Sequence, residues 1–338
     1  VEEFGIDMEF SDEDLLPDNT APSSINVGFV GVGGGGNKMA NAFIQLGFNK
    51  TLLVNTTGKD IPKNVDEDHV VLIPDSDGIG KNVELGKEVF DQNSAIVEDA
   101  LRMKLGKVDW LFVFAGGGGG TGSSVTALHS SFERYLKSVQ ASGRVIYIVS
   151  WPTAQESLNP TIAKNALSLL NDVAVHPHFV IDNERSTRLL RGKVGMLGLY
   201  PVSNNQFAKS FSQIFKLSSE DSPIQNFDSK DLETYLNNDG RAFIGSTMVK
   251  DPGTGKLGSM ILHNCMNRSI CPTPKGKAES AALILVASEE MLADPKISKH
   301  MESAIAYVGG RCKTLFSGIY MRENVPGLIA ILAMSGIK

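Results

Sequence analysis

Ala115-Gly116-Gly117-Gly118-Gly119-Gly120-Thr121-Gly122-Ser123-Ser124 follows the apolar stretch Trp110 to Phe114 and opens a segment of helical character. Without Cβ atoms the backbone reaches conformations closed to other residues, so successive N–H groups converge on one anion. Thr121 and Ser123 add hydroxyl donors, and the start of a helix favours negative charge. The alternative, a flexible linker, is at odds with the setting, because linkers do not normally join a buried strand to an apolar helix. The run predicts a phosphate-binding turn that includes Gly118, Gly119, Gly120, Thr121, Gly122 and Ser123.

Working outward, Ile25 to Val30 reads as a strand, Gly31-Val32-Gly33-Gly34-Gly35-Gly36-Asn37 as a second such turn, and Lys38 to Leu46 as a helix. Gly31, Gly33 and Gly36 satisfy G-x-G-x-x-G, which raises a dinucleotide-binding reading. That reading needs an acid at the end of the next strand to hold the ribose hydroxyls. Here Thr51 to Val54 ends in Asn55-Thr56-Thr57. The lysine loop G-x-x-x-x-G-K-[ST] fails too: at its nearest approach, Gly80-Lys81, Asp75 replaces the first glycine and Asn82 the hydroxyl. Backbone amides are therefore expected to carry most of the phosphate binding.

Strand and helix alternate along the body. Further strands are predicted at 70–73, 110–114, 145–150 and 179–181, and helices at 83–104, 123–138 and 160–173. Such alternation implies an α/β fold with a parallel sheet covered on both faces. The glycine loops, Asn55 and Asn183 then fall at carboxyl ends of strands, where open α/β sheets bind ligands. Within Asn204 to Leu217, Phe207, Phe211, Ile214 and Phe215 mark the stripe of a buried helix. Later strands are expected at 243–249, 281–287, 314–321 and 327–333, with helices at 258–267 and 295–307 between them.

Composition narrows the function class. With 338 residues, 42% of them hydrophobic, the chain can fill two packed domains. No apolar run approaches the roughly 20 residues of a membrane span, and no secretory signal is visible. Three cysteines without a C-x-x-C pair argue against a disulfide framework or zinc site, so reduced thiols in the cytoplasm are expected. The net charge of −6 is uneven: residues 1–24 hold eight acids and no Lys or Arg, which leaves the rest near neutrality. That stretch reads as a disordered acidic tail. It serves solubility alone, or its apolar residues Phe4, Ile6, Met8, Phe10, Leu15 and Leu16 dock onto a neighbouring subunit or an adaptor.

Together these residues resemble the tubulin/FtsZ superfamily. Gly118-Gly119-Gly120-Thr121-Gly122-Ser123 matches its GGGTG[ST] signature, and the first loop, Gly33, Gly34, Gly35 and Gly36 ending in Asn37, its GxGGGGxN. Asn55-Thr56-Thr57, Gly78-Ile79-Gly80-Lys81-Asn82, Trp151 to Glu156 and Ile181-Asp182-Asn183-Glu184 look like its second, third, fifth and sixth loops. Asn226-Phe227-Asp228-Ser229-Lys230-Asp231 is similar to N-x-D-x-x-D of its catalytic seventh loop. The likeness covers residues 25–338, and the stretches at 55–60 and 181–184 look more like plasmid- and phage-borne members than like FtsZ of division rings.

The resemblance implies a GTP-binding domain at 25–200, a central helix at 201–219 and a smaller α+β domain at 220–338, after the tail at 1–24. It implies GTP/GDP and Mg²⁺ as cofactors. Nucleotide contacts fall on the glycine loops, Asn55, Gly80, Glu156 (ribose), Asn183 and Asn204 (guanine edge), and catalysis on Asn226, Asp228 and Asp231. The seventh loop follows a long helix away from the nucleotide, so the implied partner is a second copy, stacked head to tail into a filament. Neither direct nucleic-acid binding nor a membrane span is expected. Two departures stand out: Thr57 where FtsZ carries Asp, and Pro160 where it carries Arg. Local readings stay open beside these. N-F-D-S-K-D-L also reads as the cap of a helix at 232–236, and Asn204 as an N-cap, with Asn205 its rival for the base. A filament that positions DNA or phage particles, a cell-division protein, and a nicotinamide oxidoreductase using His129, His176 or His178 are the readings carried forward.

Overall fold

The computed structural model describes residues 23–74, 76 and 78–337; the acidic tail expected at 1–24 lies almost wholly outside them. Ten strands form one sheet: β1 (Val27–Val32), β2 (Thr51–Asn55), β3 (Val70–Leu72), β4 (Trp110–Gly116), β5 (Val145–Trp151), β6 (Pro177–Asp182), β7 (Gly240–Val249), β8 (Ala278–Ala287), β9 (Cys312–Met321) and β10 (Leu328–Ile337). Their spatial order is β3-β2-β1-β4-β5-β6-β7-β10-β8-β9. The six N-terminal strands are parallel and end to end buried at β1 and β2, as expected of a sheet covered on both faces. β6 pairs in parallel with β7 through Pro177↔Gly240 and Phe179↔Ala242, so the sheet runs unbroken into the C-terminal half. There β10 lies antiparallel between β7 and β8.

The two faces are packed differently. On one, the helix Leu199–Leu217 inserts Phe211 against Phe112 and Phe179, with ring centroids 5.7 and 4.9 Å apart. Phe207, Phe211, Ile214 and Phe215 are all buried there, as their spacing predicted. Each such side chain contributes on the order of 2 kcal/mol by leaving water. This core continues into the C-terminal half through Phe227, Tyr235 and Phe243. On the other face, Phe90, Leu101, Phe132 and Tyr135 cover β1, β2, β4 and β5.

Several elements depart from expectation. The first helix, Gly33–Gln45, begins five residues early, inside the glycine run itself. The single helix expected at 83–104 is two, Val83–Gln92 and Ser94–Leu105. Asn93 breaks it by leaving helical geometry (φ −111°, ψ 15°) and bonding its own amide back to Val89 O at 2.9 Å. The segment expected as a helix at 123–138 is a short turn of helix at Gly120–Ser123, a 3₁₀ turn and a helix at His129–Ser138. By contrast Pro160–Val173 matches, with Pro160 in the first turn and Asn159 capping Thr161 N at 3.0 Å. No helix among the described residues is long and apolar enough to cross a membrane.

Candidate functional site

A cavity of about 330 Å³ opens at the carboxyl ends of β1 and β4, where the connections leave the sheet in opposite directions. Its floor is made where the two glycine loops touch. An ideal Cβ on Gly36 would stand 2.2 Å from Phe114 O, and one on Gly122 2.5 Å from Gly116 O, so no side chain fits at either position. Gly118 has φ +120°, open in practice only to glycine. The loops can therefore present bare backbone to a ligand.

Of the residues expected at the nucleotide, Gly34, Gly35, Gly80, and Gly118 through Gly122 with Thr121 line the cavity, as do Glu156, Asn183 and Asn204. Five do not. Gly33 and Gly36 act in loop packing. Asn37 is fully buried and donates to Val54 O at 3.3 Å, and Asn55 is buried with its Oδ1 accepting from Thr56 N at 2.9 Å. Ser123 is buried and accepts from Gly118 N at 3.0 Å. These three hold the loops in shape from behind; they do not face the cavity. Thr121 is tied to the second loop through its hydroxyl, 2.9 Å from Thr56 Oγ1.

The far end of the cavity is built by two helices. Asn183 opens the helix Asn183–Leu190, which Asp182 caps through Arg185 N at 3.0 Å. Asn204 lies in the second turn of Leu199–Leu217, whose N-cap is Gly198, so the capping reading of Asn204 is excluded. Ser203 and Ser186 join the two helices, their hydroxyls 2.9 Å apart. Asn205 is absent from the cavity wall. Arg185 anchors this end to the C-terminal half: Nε donates to Ser269 O at 2.5 Å, Nη1 to Thr273 Oγ1 at 3.0 Å, and Nη2 to Met266 O.

Sequence reading missed several wall residues, among them Tyr200, Ser150, Asp60, Lys38 and Lys81. Tyr200 was within reach of inference, because it stands one helical turn before Asn204 on the same face. Its hydroxyl donates to Glu156 Oε1 at 3.1 Å, and burial, with Glu156 second, pushes its pKa up to about 12. Glu156 Oε2 is held by Thr153 N at 2.7 Å and Thr153 Oγ1 at 3.0 Å. Its ribose assignment thus falls on a carboxylate already fixed in place. Asp60 sits against Gly34 at the end of a 3₁₀ turn, Gly58–Asp60, too short to show a period in the sequence.

Asn226, Asp228 and Asp231 are elsewhere. None lines the cavity, and they follow the opposite end of the helix Leu199–Leu217, whose 19 residues rise about 28 Å. Asp228 caps the helix Ser229–Leu236, its Oδ1 accepting from Lys230 N at 2.8 Å and Asp231 N at 3.0 Å. Asp231 Oδ2 accepts from Asp228 N at 3.3 Å, completing a capping box. Burial raises the Asp231 carboxyl above its ordinary value. Between them and Asn226, the buried Phe227 is clamped by Tyr320, whose hydroxyl accepts from Phe227 N at 3.0 Å and donates to Phe227 O at 3.1 Å. The capping reading is therefore observed, and the same cap sets the two acids at one exposed tip.

No group of three or more His, Cys, Asp or Glu side chains converges on a metal position among the described residues. His129 packs on His176 with ring centroids 4.1 Å apart and its Nδ1 2.8 Å from Tyr147 Oη, and neither they nor His178 line the cavity. A proton donor for hydride transfer is thus missing from the places where the sequence offered one.

Residues 26–191 match the model of the tubulin/FtsZ family GTPase domain. The cell division protein FtsZ of Neisseria meningitidis serogroup A is 26% identical over 247 residues, which cover 71% of this chain and 59% of that protein; the chain thus spans about three-fifths of that curated relative. TubZ protofilaments of Bacillus thuringiensis serovar israelensis in the GDP form superpose with TM-score 0.78 at 16% identity, covering 95% of this chain and 90% of theirs. CetZ2 of Haloferax volcanii, a GTPγS-bound protofilament, gives 0.73 at 21%, covering 93% and 94%. At such identities the structural likeness speaks for the fold, and the match at 26–191 speaks for the domain that carries the cavity. Residues 26–191 are thus a GTPase domain of the tubulin/FtsZ family.

Proposed function

We propose that this chain binds GTP in the cavity and hydrolyses it only after head-to-tail self-assembly, when Asn226, Asp228 and Asp231 of one copy close the site of the next. The observation that carries this reading is the distance between the two half-sites. One has backbone donors, with Glu156 fixed by Thr153 and Tyr200 and Asp60 against Gly34 as the acids on its wall; the other has acids and no phosphate cradle. A single copy has no route to bring them together across a 19-residue helix packed along its length. A contact between unlike ends of identical molecules does not close on itself, and so produces a filament.

In the assembled site the glycine amides and the Thr121 hydroxyl hold the phosphates, and Asn183 and Asn204 offer amides that both donate and accept along a guanine edge. Tyr200 supplies an apolar ring beside them. Asp228 and Asp231 orient the water in line with the terminal phosphate while the amides stabilise charge on the leaving group. Mg²⁺ bound mainly through phosphate oxygens and water needs no dedicated protein cage, and Asp60 on the cavity wall fits as its acidic neighbour. Bound there it would neutralise charge on the phosphates.

The test is the dependence of turnover on the protein's own concentration. GTP hydrolysis per molecule should be negligible in dilute solution and rise above a threshold at which light scattering and electron microscopy report filaments. Turnover that stays flat from dilute solution through the assembly range overturns the shared site. For the cellular role we favour a cytoplasmic filament that positions DNA or phage particles, supported by the character of residues 55–60 and 181–184. A role in cell division is the second reading, favoured by the FtsZ match. A fluorescent fusion that gathers into a ring at the division site decides for the second.

A further inference from the structure

β9 is the outermost strand of the sheet. Ile319 N donates outward to Gln225 O at 2.9 Å, so the main-chain groups of Ser317, Leu315 and Lys313, two, four and six residues earlier, face the same outer side. Among the described residues no strand pairs with them beyond the isolated bridge Gln225↔Ile319. An unpaired row of this kind is a template for an added strand. The two faces beside it differ in character. Exposed Arg311 and Lys313 stand on one, Arg311 donating to the Tyr307 hydroxyl at 2.9 Å and Lys313 paired with Glu279 of β8 at 2.7 Å, with exposed Lys275 and Lys277 on the loop leading into β8 adding positive charge; half-buried Phe316 stands on the other.

The sequence holds a segment matched to both faces. In Glu3-Phe4-Gly5-Ile6-Asp7-Met8-Glu9-Phe10 apolar residues alternate strictly with acids or glycine, a period of two that places Phe4, Ile6, Met8 and Phe10 together and Glu3, Asp7 and Glu9 opposite. It is also tethered nearby. Ser24 Oγ lies 2.7 Å from Ser218 Oγ at the end of the central helix, and four residues on, Ser222 Oγ donates to Ile319 O of β9 itself. The twelve residues between Phe10 and Ser23 reach roughly 40 Å, ample for the length of β9.

We propose that residues 3–10 dock on the outer edge of β9 of their own chain as an added strand, acids toward Arg311 and Lys313 and apolar side chains toward Phe316. Hydrogen exchange on the full chain, dilute and without nucleotide, tests this independently of any assembly. Ile6→Ser with Met8→Ser keeps the length and every acid but removes the apolar face. Amides of Lys313, Leu315 and Ser317 should exchange about tenfold or more faster in that variant than in the unaltered chain, with those of Thr314 and Phe316, which face β8, and of β4 unchanged. Equal exchange in the two proteins overturns the docking. Protection that appears only as protein concentration rises overturns it as well, because the occupant is then the segment, or the β9 edge, of a second copy.

Discussion

The two ends of the central helix solve recognition in opposite ways. At the cavity, the parts that meet a ligand are mostly main chain, and side chains such as Asn37, Asn55 and Ser123 are spent on holding that main chain still. At the far tip the groups proposed to meet the neighbour's nucleotide are side chains, and the main chain of Asp228 and Asp231 is what fixes them, through a capping box. The difference matters for mutation. A phosphate cradle of amides is damaged by adding atoms, whereas an acidic tip is damaged by removing them.

The sharpest way to break this contrast is to separate the chemistry of Asp228 from its capping. Asn caps a helix about as well as Asp. Asp228→Asn should therefore keep the melting temperature and the GTP affinity of the dilute protein while turnover in the assembly range falls by about 10²–10⁴-fold. Asp228→Ala should lose the same turnover and about 1 kcal/mol of stability besides. Turnover surviving in the Asn variant would reduce Asp228 to a cap.

Next in size is the opposite operation. Gly36→Ala adds one methyl group where its carbon would lie 2.2 Å from Phe114 O, and should cost about 3 kcal/mol in urea unfolding. Gly119→Ala is the control, since nothing stands within 4 Å of its Cβ, and should lose affinity for nucleotide with little loss of stability. Equal stability of the two variants would mean that the loops are not packed as described.

A smaller effect is expected where side chains do reach the cavity. Asn183→Ala together with Asn204→Ala should lower the preference for GTP over ATP by about tenfold or more in competition binding, leaving ATP affinity nearly unchanged. An unaltered preference would remove the base-reading role from both residues.

These outcomes bear on what the sequence could and could not say. Gly118 and Gly36 were legible because the conformation and spacing they permit exclude every other residue. The phenylalanine stripe was legible because burial imposes a period. Asn93 was not: the apolar pattern carries through it from Val83 to Leu105, and only the bond from its amide to Val89 O shows the break. Asn37 and Asn55 were placed at the nucleotide because an amide suited to a ligand is equally suited to the main chain beside it, Val54 O for Asn37 and Thr56 N for Asn55. Asp228 was open to two readings, and the fold supports the cap without removing the acid from its exposed tip.

The smallest expected effect lies away from both ends. Burial holds the imidazoles of His129, His176 and His178 below their ordinary value of 6.5. As pH falls the unfolded chain takes up these protons first. Their contribution to stability is therefore full above about pH 6.5 and lost as pH drops below it toward the folded values. His178→Gln should narrow the gap between melting temperatures measured at about pH 7.5 and about pH 5.5; a gap of the same size would place the acid sensitivity in other groups.

Arg185 gives the ligand a reach beyond its own contacts. Its guanidinium fastens the helix that begins with Asn183 to Met266, Ser269 and Thr273, while β6 and β7 share hydrogen bonds across the same seam. Two halves stitched in this way melt as one cooperative unit, and any molecule that favours the folded cavity shifts that shared equilibrium by mass action. A nucleotide touching only the N-terminal half thus raises the melting temperature of strands β8 to β10, and calorimetry should record a single transition that moves as a whole.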